Sequence, residues 1–280
     1  MSDASELQGP QASDPELRGA LRISVIVEGP DATGLLDSQL SQSLKAMEVG
    51  GSCWSLVLEP DGHLGDWLRV VRSAAERWVL LGGSGREEAL AERMARFRLR
   101  ERAEISMEPC GVVVSAGVGF DGLGLPALWA VGQEREFLVA PAILDIAETR
   151  ESELEAQRIE LGRLSPDDLR AGDNPLCIGS ANLKRSVSFT KGCYTGQELV
   201  ARMDARSARA PRRMLLATTV GQIEVGEVLM SDGKEVGEVR TSVDGRAAWC
   251  MVARSVTAPS PVAVTCGSHE VTLVEPSGGV

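Results

Sequence analysis

The segment best equipped for chemistry is Lys191-Gly192-Cys193-Tyr194-Thr195-Gly196-Gln197-Glu198. Thr195 and Glu198 have the spacing of a capping box, so Thr195 is expected to cap a helix running through Glu-Leu-Val-Ala-Arg-Met-Asp-Ala-Arg. Cys193 then stands just ahead of a helix N-terminus, where the partial positive charge of the peptide dipoles favours a thiolate. Lys191, two residues upstream, adds a cation. Both effects lower a thiol pKa, which a nucleophilic or metal-binding cysteine requires. The same residues also suit a buried structural thiol beside a turn, because free cysteine is among the most buried residue types. Local sequence leaves both readings open.

Eight basic residues surround this segment: Lys184, Arg185, Lys191, Arg202, Arg206, Arg209, Arg212 and Arg213. Only Glu198 and Asp204 oppose them, a local +6 within a chain of −11, so the remainder carries −17. A positive island on an acidic body attracts a compact anion and repels a long polyanion. The alternative is that these side chains form ion pairs with the acidic body.

Other segments are weaker. Gly117-Val118-Gly119-Phe120-Asp121-Gly122 fits GxGxxG, but Leu125-Pro126 comes where a phosphate-cradling helix would begin. Gly82-Gly83-Ser84-Gly85 lies between a strand and a helix, where backbone N–H groups can hold an anion, but it lacks the Lys-Ser/Thr ending of a P-loop, and a plain turn is the better reading of both glycine patterns. His63 and His269 are far apart, and no Ser-His-Asp set or nucleophile elbow is present. His63 reads as a solvated turn residue. Trp54, Trp67, Trp78 and Trp129 read as core, with one of them free to line a flat aromatic pocket. The six cysteines contain no CxxC and none lies near a histidine at metal-ligand spacing, so no metal site is expected and the thiols suit a reducing cytosol.

These residues must be carried by folded elements, and the 280-residue chain, 43% hydrophobic and 25% charged, has an ordinary globular composition. Residues 1–20 are polar and acidic and read as a disordered tail without signal- or transit-peptide character. Strands are expected over Leu21–Glu28, Ser52–Leu58, Trp67–Val71 and Arg77–Leu81. A first helix is expected with Leu36, Leu40 and Leu44 on one face, and a second from Arg86 to about Arg98 with Leu90, Met94 and Phe97 aligned. That order, β-α-β-β-β-α, implies an α+β layer of helices on a mostly antiparallel sheet. Short strands at Gly111–Ser115 and Glu136–Ala140, a helix over Ala142–Glu160, a loop-rich stretch at 162–190 and a short helix over Thr195–Ala205 complete an α+β body spanning 21–208, read as two interleaved subdomains. Short strands punctuated by Asp232-Gly233 and Asp244-Gly245 predict a small C-terminal β-barrel over 209–280. No apolar run is long enough to span a membrane.

The octet 191–198, with Ser188-Phe189-Thr190 before it and Leu199-Val200-Ala201-Arg202 after it, resembles the signature of the YgfZ folate-binding family, which is related to the glycine cleavage T-protein, an aminomethyltransferase. Looser resemblance spans most of 21–265, including Arg158-Ile159-Glu160-Leu161-Gly162. The resemblance implies a ring-like T-protein-type body of ferredoxin-like α/β layers with a terminal barrel. It implies tetrahydrofolate as cofactor and an accessory protein for assembly or repair of clusters in client iron–sulfur proteins; the scattered thiols place it in the cytoplasm, the acidic charge and lack of a long apolar run give it no nucleic acid or membrane partner, and with no oligomer seam in the sequence it is read as a monomer. It makes Cys193 the functional thiol and Lys191 its basic neighbour. It assigns cofactor binding to Glu160, Arg158, Tyr194, Asp66 and Arg202. Glu160 would hold the pterin, since a carboxylate accepts two parallel N–H bonds from an aminopyrimidine edge. The basic island would face the glutamate tail. Four departures stand out. Gly65-Asp66 replaces a pair of aspartates, Gly82 follows the strand where an asparagine is expected, Leu164-Ser165-Pro166-Asp167-Asp168 replaces a second glutamate motif, and Leu40-Ser41-Gln42-Ser43 lacks an acid. These losses argue against the alternative, a folate-dependent aminomethyltransferase or demethylase in which Asp66 would act alone. A nucleic-acid module built on the basic island is disfavoured by the −17 elsewhere.

Overall fold

A computed structural model describes residues 18–115, 124–126, 135–141, 151–198, 200, 210–256 and 261–275. Among them, no helix is long and apolar enough to cross a membrane. The first half is built on an antiparallel sheet. Its strands are β1 (Arg18–Glu28), β2 (Ser52–Leu58), β3 (Leu64–Ala74), β4 (Arg77–Leu81), β5 (Glu104–Ser115), β6 (Gly124–Pro126) and β7 (Arg135–Val139), in the order β2-β3-β4-β1-β5-β7-β6. β1 begins three residues before the expected Leu21, so Arg18, Gly19 and Ala20 pair with β5 rather than belonging to a tail. β5 runs through Pro109, which sits opposite Ile23.

Alternation along the strands divides the sheet into two faces. On one face Val25, Val27, Leu68, Val70, Trp78 and Leu80 form a core under helices α1 (Ala32–Gln39) and α2 (Glu87–Phe97). In α2 the buried stripe is Leu90 and Met94, with Glu87 and Glu88 in the first turn and Arg96 in the last, charges that complement the helix dipole. The expected periodicity of the first helix holds only in part. Leu36, Leu40 and Leu44 are all fully buried, but the helix stops at Gln39. Leu40 is extended and bridges Val57, and the Leu44 N–H donates to Asp37 Oδ1 at 2.9 Å. Burial, not helical register, aligns these leucines.

The opposite face carries Trp54, Trp67, Arg69, Leu81, Val112 and Glu136. Three strands separate β3 from β7, about 19 Å in a flat sheet at ~4.8 Å per strand. Yet Arg69 Nη1 lies 3.1 Å from Glu136 Oε2. The sheet is therefore curled, with this face concave. Helix α3 (Glu151–Glu160) packs Leu154 against Val112 and Val114 on the concave side. The expected helix over 142–160 is present in that part, and 142–150 lies outside the described residues. The stretch read as loop contains 3-10 turns at Pro166–Asp168 and Pro175–Ile178 and a fourth helix, α4 (Gly179–Ser186).

The C-terminal strands close into a barrel, as expected. They are β8 (Arg212–Thr219), β9 (Val228–Ser231), β10 (Lys234–Val243), β11 (Ala247–Ala253), β12 (Val262–Cys266) and β13 (His269–Val274), in the order β10-β11-β8-β13-β12-β9. Asp232 and Gly233 both have positive φ, 50° and 73°, which suits a two-residue hairpin whose twist matches its strands. Alternate residues such as Leu215, Ala217, Val239, Cys250 and Val271 fill the barrel. A second core joins sheet, α3 and barrel through Leu56, Leu58, Trp67, Ile159, Val187 and Trp249. The Trp249 Nε1–H donates to the Arg163 carbonyl at 3.1 Å, so this buried indole keeps a partner.

Candidate functional site

The 187–198 segment is pinned at both ends. The Ser188 N–H donates to the Ser41 carbonyl at 3.0 Å. Lys191 turns away from its neighbours in sequence and enters the C-terminal end of α1. Its Nζ donates to the carbonyls of Asp37 (2.6 Å), Leu40 (2.8 Å) and Gln42 (3.0 Å), and it lies 3.4 Å from Asp37 Oδ1. Those carbonyls are left over where the helix ends, so three ammonium donors meet three orphan acceptors. The side chain is 3% exposed. Burial pulls the ammonium pKa below its ordinary value, and Asp37 opposes that shift. Lys191 also sits 5.3 Å from the centre of the Tyr194 ring. Burial pushes the Tyr194 hydroxyl up to about 12.

Held this way, the segment presents Cys193 to solvent, while Cys177, Cys250 and Cys266 are buried. The reading of Cys193 as a buried structural thiol therefore does not apply. Gln197 Nε2 approaches its sulfur at 3.8 Å. Gln197 and Glu198 open the helix that follows. The reach-back contact joins Gln197 Oε1 to the Tyr194 N–H at 3.1 Å, one residue ahead of the expected Thr195–Glu198 pair. Gly196 has φ +79°, and a Cβ there would come within 2.6 Å of Leu58 Cβ, so only glycine lets the segment lie against β2. Arg202 falls outside the described residues, as do Arg206 and Arg209.

Arg158 and Glu160 part company. Arg158 is fully buried, and all five of its N–H groups are used inside the protein. Nε and Nη2 donate to Glu155 Oε2, Nη1 and Nη2 grip both Asp168 oxygens (2.7 and 3.0 Å), and Nη1 also reaches the Arg163 carbonyl. Burial works against the charge, but the Asp168 and Glu155 carboxylates more than offset it and raise the pKa further. No donor remains for a ligand. Arg158 instead locks α3 to the Ser165–Asp168 turn. Glu160, two residues on, is exposed at the end of α3.

Asp66 is also internal. Its Oδ1 accepts from the Trp67 N–H (2.8 Å), the Gly83 N–H (3.3 Å), and Arg86 Nε and Nη2 (3.0 and 2.6 Å). Its Oδ2 is buried and, among the described residues, has no hydrogen-bond partner. Burial raises the carboxyl pKa, and Arg86 and the two amides only partly oppose it. Gly82 makes room for that oxygen, since a Cβ there would lie 2.2 Å from Oδ2. The Gly82–Gly85 loop does hold anions, but they belong to the protein: Gly83 serves Asp66, and the Ser84 N–H donates to Asp167 Oδ1 at 2.6 Å.

Beside this loop a cleft opens between the concave face of the sheet and the Ser165–Asp167 turn. Trp54 supplies an indole wall, backed by Trp67 at 4.5 Å between ring centres. The guanidinium groups of Arg69 and Arg185 lie 5.5 and 5.7 Å from the Trp54 ring centre, within cation–π range. Glu136, buried and paired with Arg69, forms the acidic part of the cleft floor, and Leu81 and Val112 are its apolar sides. Trp54 and Tyr194 both border the core that joins sheet and barrel, so cleft and thiol segment share one support. The motifs did not mark Arg69 or Glu136. For Arg69 the available signal was a charge flanked by apolar residues, Leu68-Arg69-Val70, since charged residues are almost never buried unless paired; Glu136 follows Glu134-Arg135 and carries no such signal.

Of the remaining candidates, His63 is half exposed with Nδ1 3.0 Å from Asp61 Oδ2, as expected of a turn residue. Trp67 and Trp78 are fully buried core, and Trp129 and the Gly117–Gly122 pattern lie outside the described residues. Among the described residues, the basic island is not one open patch. Lys191 is buried, Arg185 is half-buried near Trp54, and Arg213 pairs with Glu275 at 2.6 Å. Among the described residues, no group of His, Cys, Asp or Glu is arranged to hold a metal ion.

No family model matches the chain. An uncharacterized protein of Haemophilus influenzae is 20% identical over 226 residues, spanning 78% of this chain and 80% of that protein. The crystal structure of glycine cleavage system aminomethyltransferase T from Bartonella henselae superposes with a TM-score of 0.69 over 92% of this chain and 86% of that one, at 15% identity. The two share a fold.

Proposed function

We propose that this chain is a tetrahydrofolate-binding accessory protein for the assembly or repair of iron–sulfur clusters, with Cys193 as its working thiol. The observation that carries this reading is the solvent-facing Cys193 on a segment fixed by the buried Lys191 clamp. A thiol kept in water on an ordered loop is available to a partner, as either a ligand or a nucleophile. The fold shared with an aminomethyltransferase and the resemblance of residues 188–202 to the YgfZ signature support the folate part. The cleft suits such a molecule, because an indole face, apolar sides and a buried carboxylate match a flat heteroaromatic ring bearing N–H donors. Trp54 would stack on the ring, and Leu81 and Val112 would exclude water from its edges. When bound, the folate supplies a carrier for one-carbon units.

The state of Asp66 favours an accessory role over aminomethyl transfer. One of its oxygens is saturated by four N–H groups and the other is sealed behind Gly82, so neither faces the cleft as an acid for chemistry on a ligand. The test is complementation. In cells lacking this protein, wild type is expected to restore the activity of an iron–sulfur dehydratase, and Cys193→Ala is expected to leave it near the level of the deletion. Equal rescue by the two would sink the role given to the thiol.

A further inference from the structure

We propose that Asp66 and Arg86 are positioning residues of the cleft: together they strap one of its walls, the 165–169 turn, to the end of the sheet, and neither touches the ligand. The identity of that ligand rests on the folate reading above; the strap itself does not. Asp66 shares a sheet face with Leu68 and Val70, under α1 and α2, so it lies across the sheet from the cleft. Arg86, just ahead of α2, carries its influence round the strand ends. Nε and Nη2 of Arg86 donate to Asp66 Oδ1 at 3.0 and 2.6 Å. Nη1 donates to the Leu169 carbonyl at 2.6 Å, and Nη2 also to the Pro166 carbonyl at 2.8 Å. One planar guanidinium thus joins β3 to the turn, a use that needs the rigid fork of arginine. Neither Asp66 nor Arg86 lines the cleft.

The wall that Arg86 grips has little to hold it otherwise. Ser165, Pro166 and Asp167 line the cleft. They belong to a single 3-10 turn whose internal support is the capping of the Asp167 N–H by Ser165 and of the Ser165 N–H by Asp168. Arg158 anchors Asp168, the buried end of the turn. The end that faces the cleft is tied to the 82–86 loop and to Arg22. The Ser84 N–H donates to Asp167 Oδ1 at 2.6 Å, but this bond is exposed to water, and Arg22 Nη2 approaches Asp167 Oδ2 only to 3.8 Å. The Arg86 contacts to the carbonyls are part-buried and carry a full charge, so they are the stronger ties. The loop is shaped to the strap. A Cβ on Gly83 would lie 1.7 Å from Arg86 Nη2, and one on Gly82 would strike Asp66 Oδ2, so both glycines clear its path. Asp66, only 5% exposed, supplies the counter-charge that keeps the guanidinium at this place.

The test uses the full chain and two readouts. Hydrogen exchange at the Leu169 amide, which donates to the Pro166 carbonyl, reports the mobility of the turn. Tryptophan fluorescence reports the affinity for tetrahydrofolate. Arg86→Lys keeps a positive charge beside Asp66 but has no fork to span the two carbonyls. It is expected to exchange Leu169 about tenfold faster and to bind tetrahydrofolate about tenfold more weakly, the worth of one charge-assisted hydrogen bond, although it removes no group that lines the cleft. A folded Arg86→Lys protein with wild-type exchange would overturn the strap. Faster exchange with unchanged affinity would overturn the positioning role, since a tie that serves stability alone leaves binding by the folded protein untouched. If Arg86→Lys fails to fold, Asp66→Asn decides by the same two readouts, because it keeps an acceptor for the Trp67 and Gly83 amides and removes the counter-charge. Wild type that binds no tetrahydrofolate would overturn the folate reading alone, and exchange at Leu169 would then decide on the strap by itself.

Discussion

Among the described residues, the guanidinium–carboxylate pairs Arg158–Asp168 and Arg69–Glu136 are buried on both sides, and their surroundings differ. Arg158 and Asp168 are wholly enclosed, every donor of the arginine is spent on protein acceptors, and the pair joins α3 to the turn that follows it. Arg69 and Glu136 are nearly as buried, but they meet across the curl of the sheet at the floor of a cleft, next to an indole face. The first pair has the chemistry of a site without access. The second has both. A buried charge therefore marks a functional place only when something from outside can reach its partner. Within a folded chain, that access comes from the curvature of the sheet and not from the residue types.

Substitutions can break or sharpen this contrast. Arg158→Met strips two carboxylates of their buried partner and is expected to cost about 3–5 kcal/mol, read by urea unfolding. Arg69→Met is expected to cost less, about 1–3 kcal/mol, because water in the cleft can solvate Glu136. Equal losses would erase the distinction between a sealed pair and an accessible one. Next in size, Gly82→Ala pushes a methyl into Asp66 Oδ2 and is expected to destabilise by about 1–3 kcal/mol, seen as a lower thermal midpoint. An unchanged midpoint would mean that Asp66 can swing aside and is not confined as described. The smallest effect concerns reactivity alone. Burial pushes the Cys53 and Cys177 thiols up to about 12, so at pH 9 about one in a thousand of each is thiolate, and their share grows as pH rises towards that value. Iodoacetamide at pH 8–9 is expected to label Cys193 first, with Cys53 and Cys177 modified only after unfolding, as mapped by mass spectrometry. Early modification of Cys53 in the folded protein would show that the region under Lys191 opens.

Much of the scaffold is legible in local pattern. Ser52–Leu58 and Arg77–Leu81 read correctly to the residue because alternation and flanking turns agree, and the barrel announces itself through Asp232-Gly233 and Asp244-Gly245. Pattern fails where tertiary contacts replace it. Leu40 and Leu44 continue a helical spacing after the helix has ended, because Val57 and Asp37 offer better partners. Helix α4 is masked by the weak formers Gly179, Ser180 and Asn182 in its first turn and is held by packing against β2. In the candidate site, spacing singles out Cys193 but misjudges Lys191, whose ammonium serves carbonyls some 150 positions away rather than its neighbour. Arg69 and Glu136 are invisible as a pair, since 67 positions and a curled sheet separate them in sequence.

The lysine clamp also bears on how the protein is made. Its ammonium and the Asp37 carbonyl are 154 positions apart. At about 5–20 residues per second, roughly 8–30 s of translation pass between the emergence of the two partners from the ribosome. Until Lys191 has emerged, the carbonyls of Asp37, Leu40 and Gln42 lack the ammonium that caps them in the folded protein. A chain that stops before residue 193 lacks this thiol altogether, and the exposed sulfur follows its clamp by only two positions.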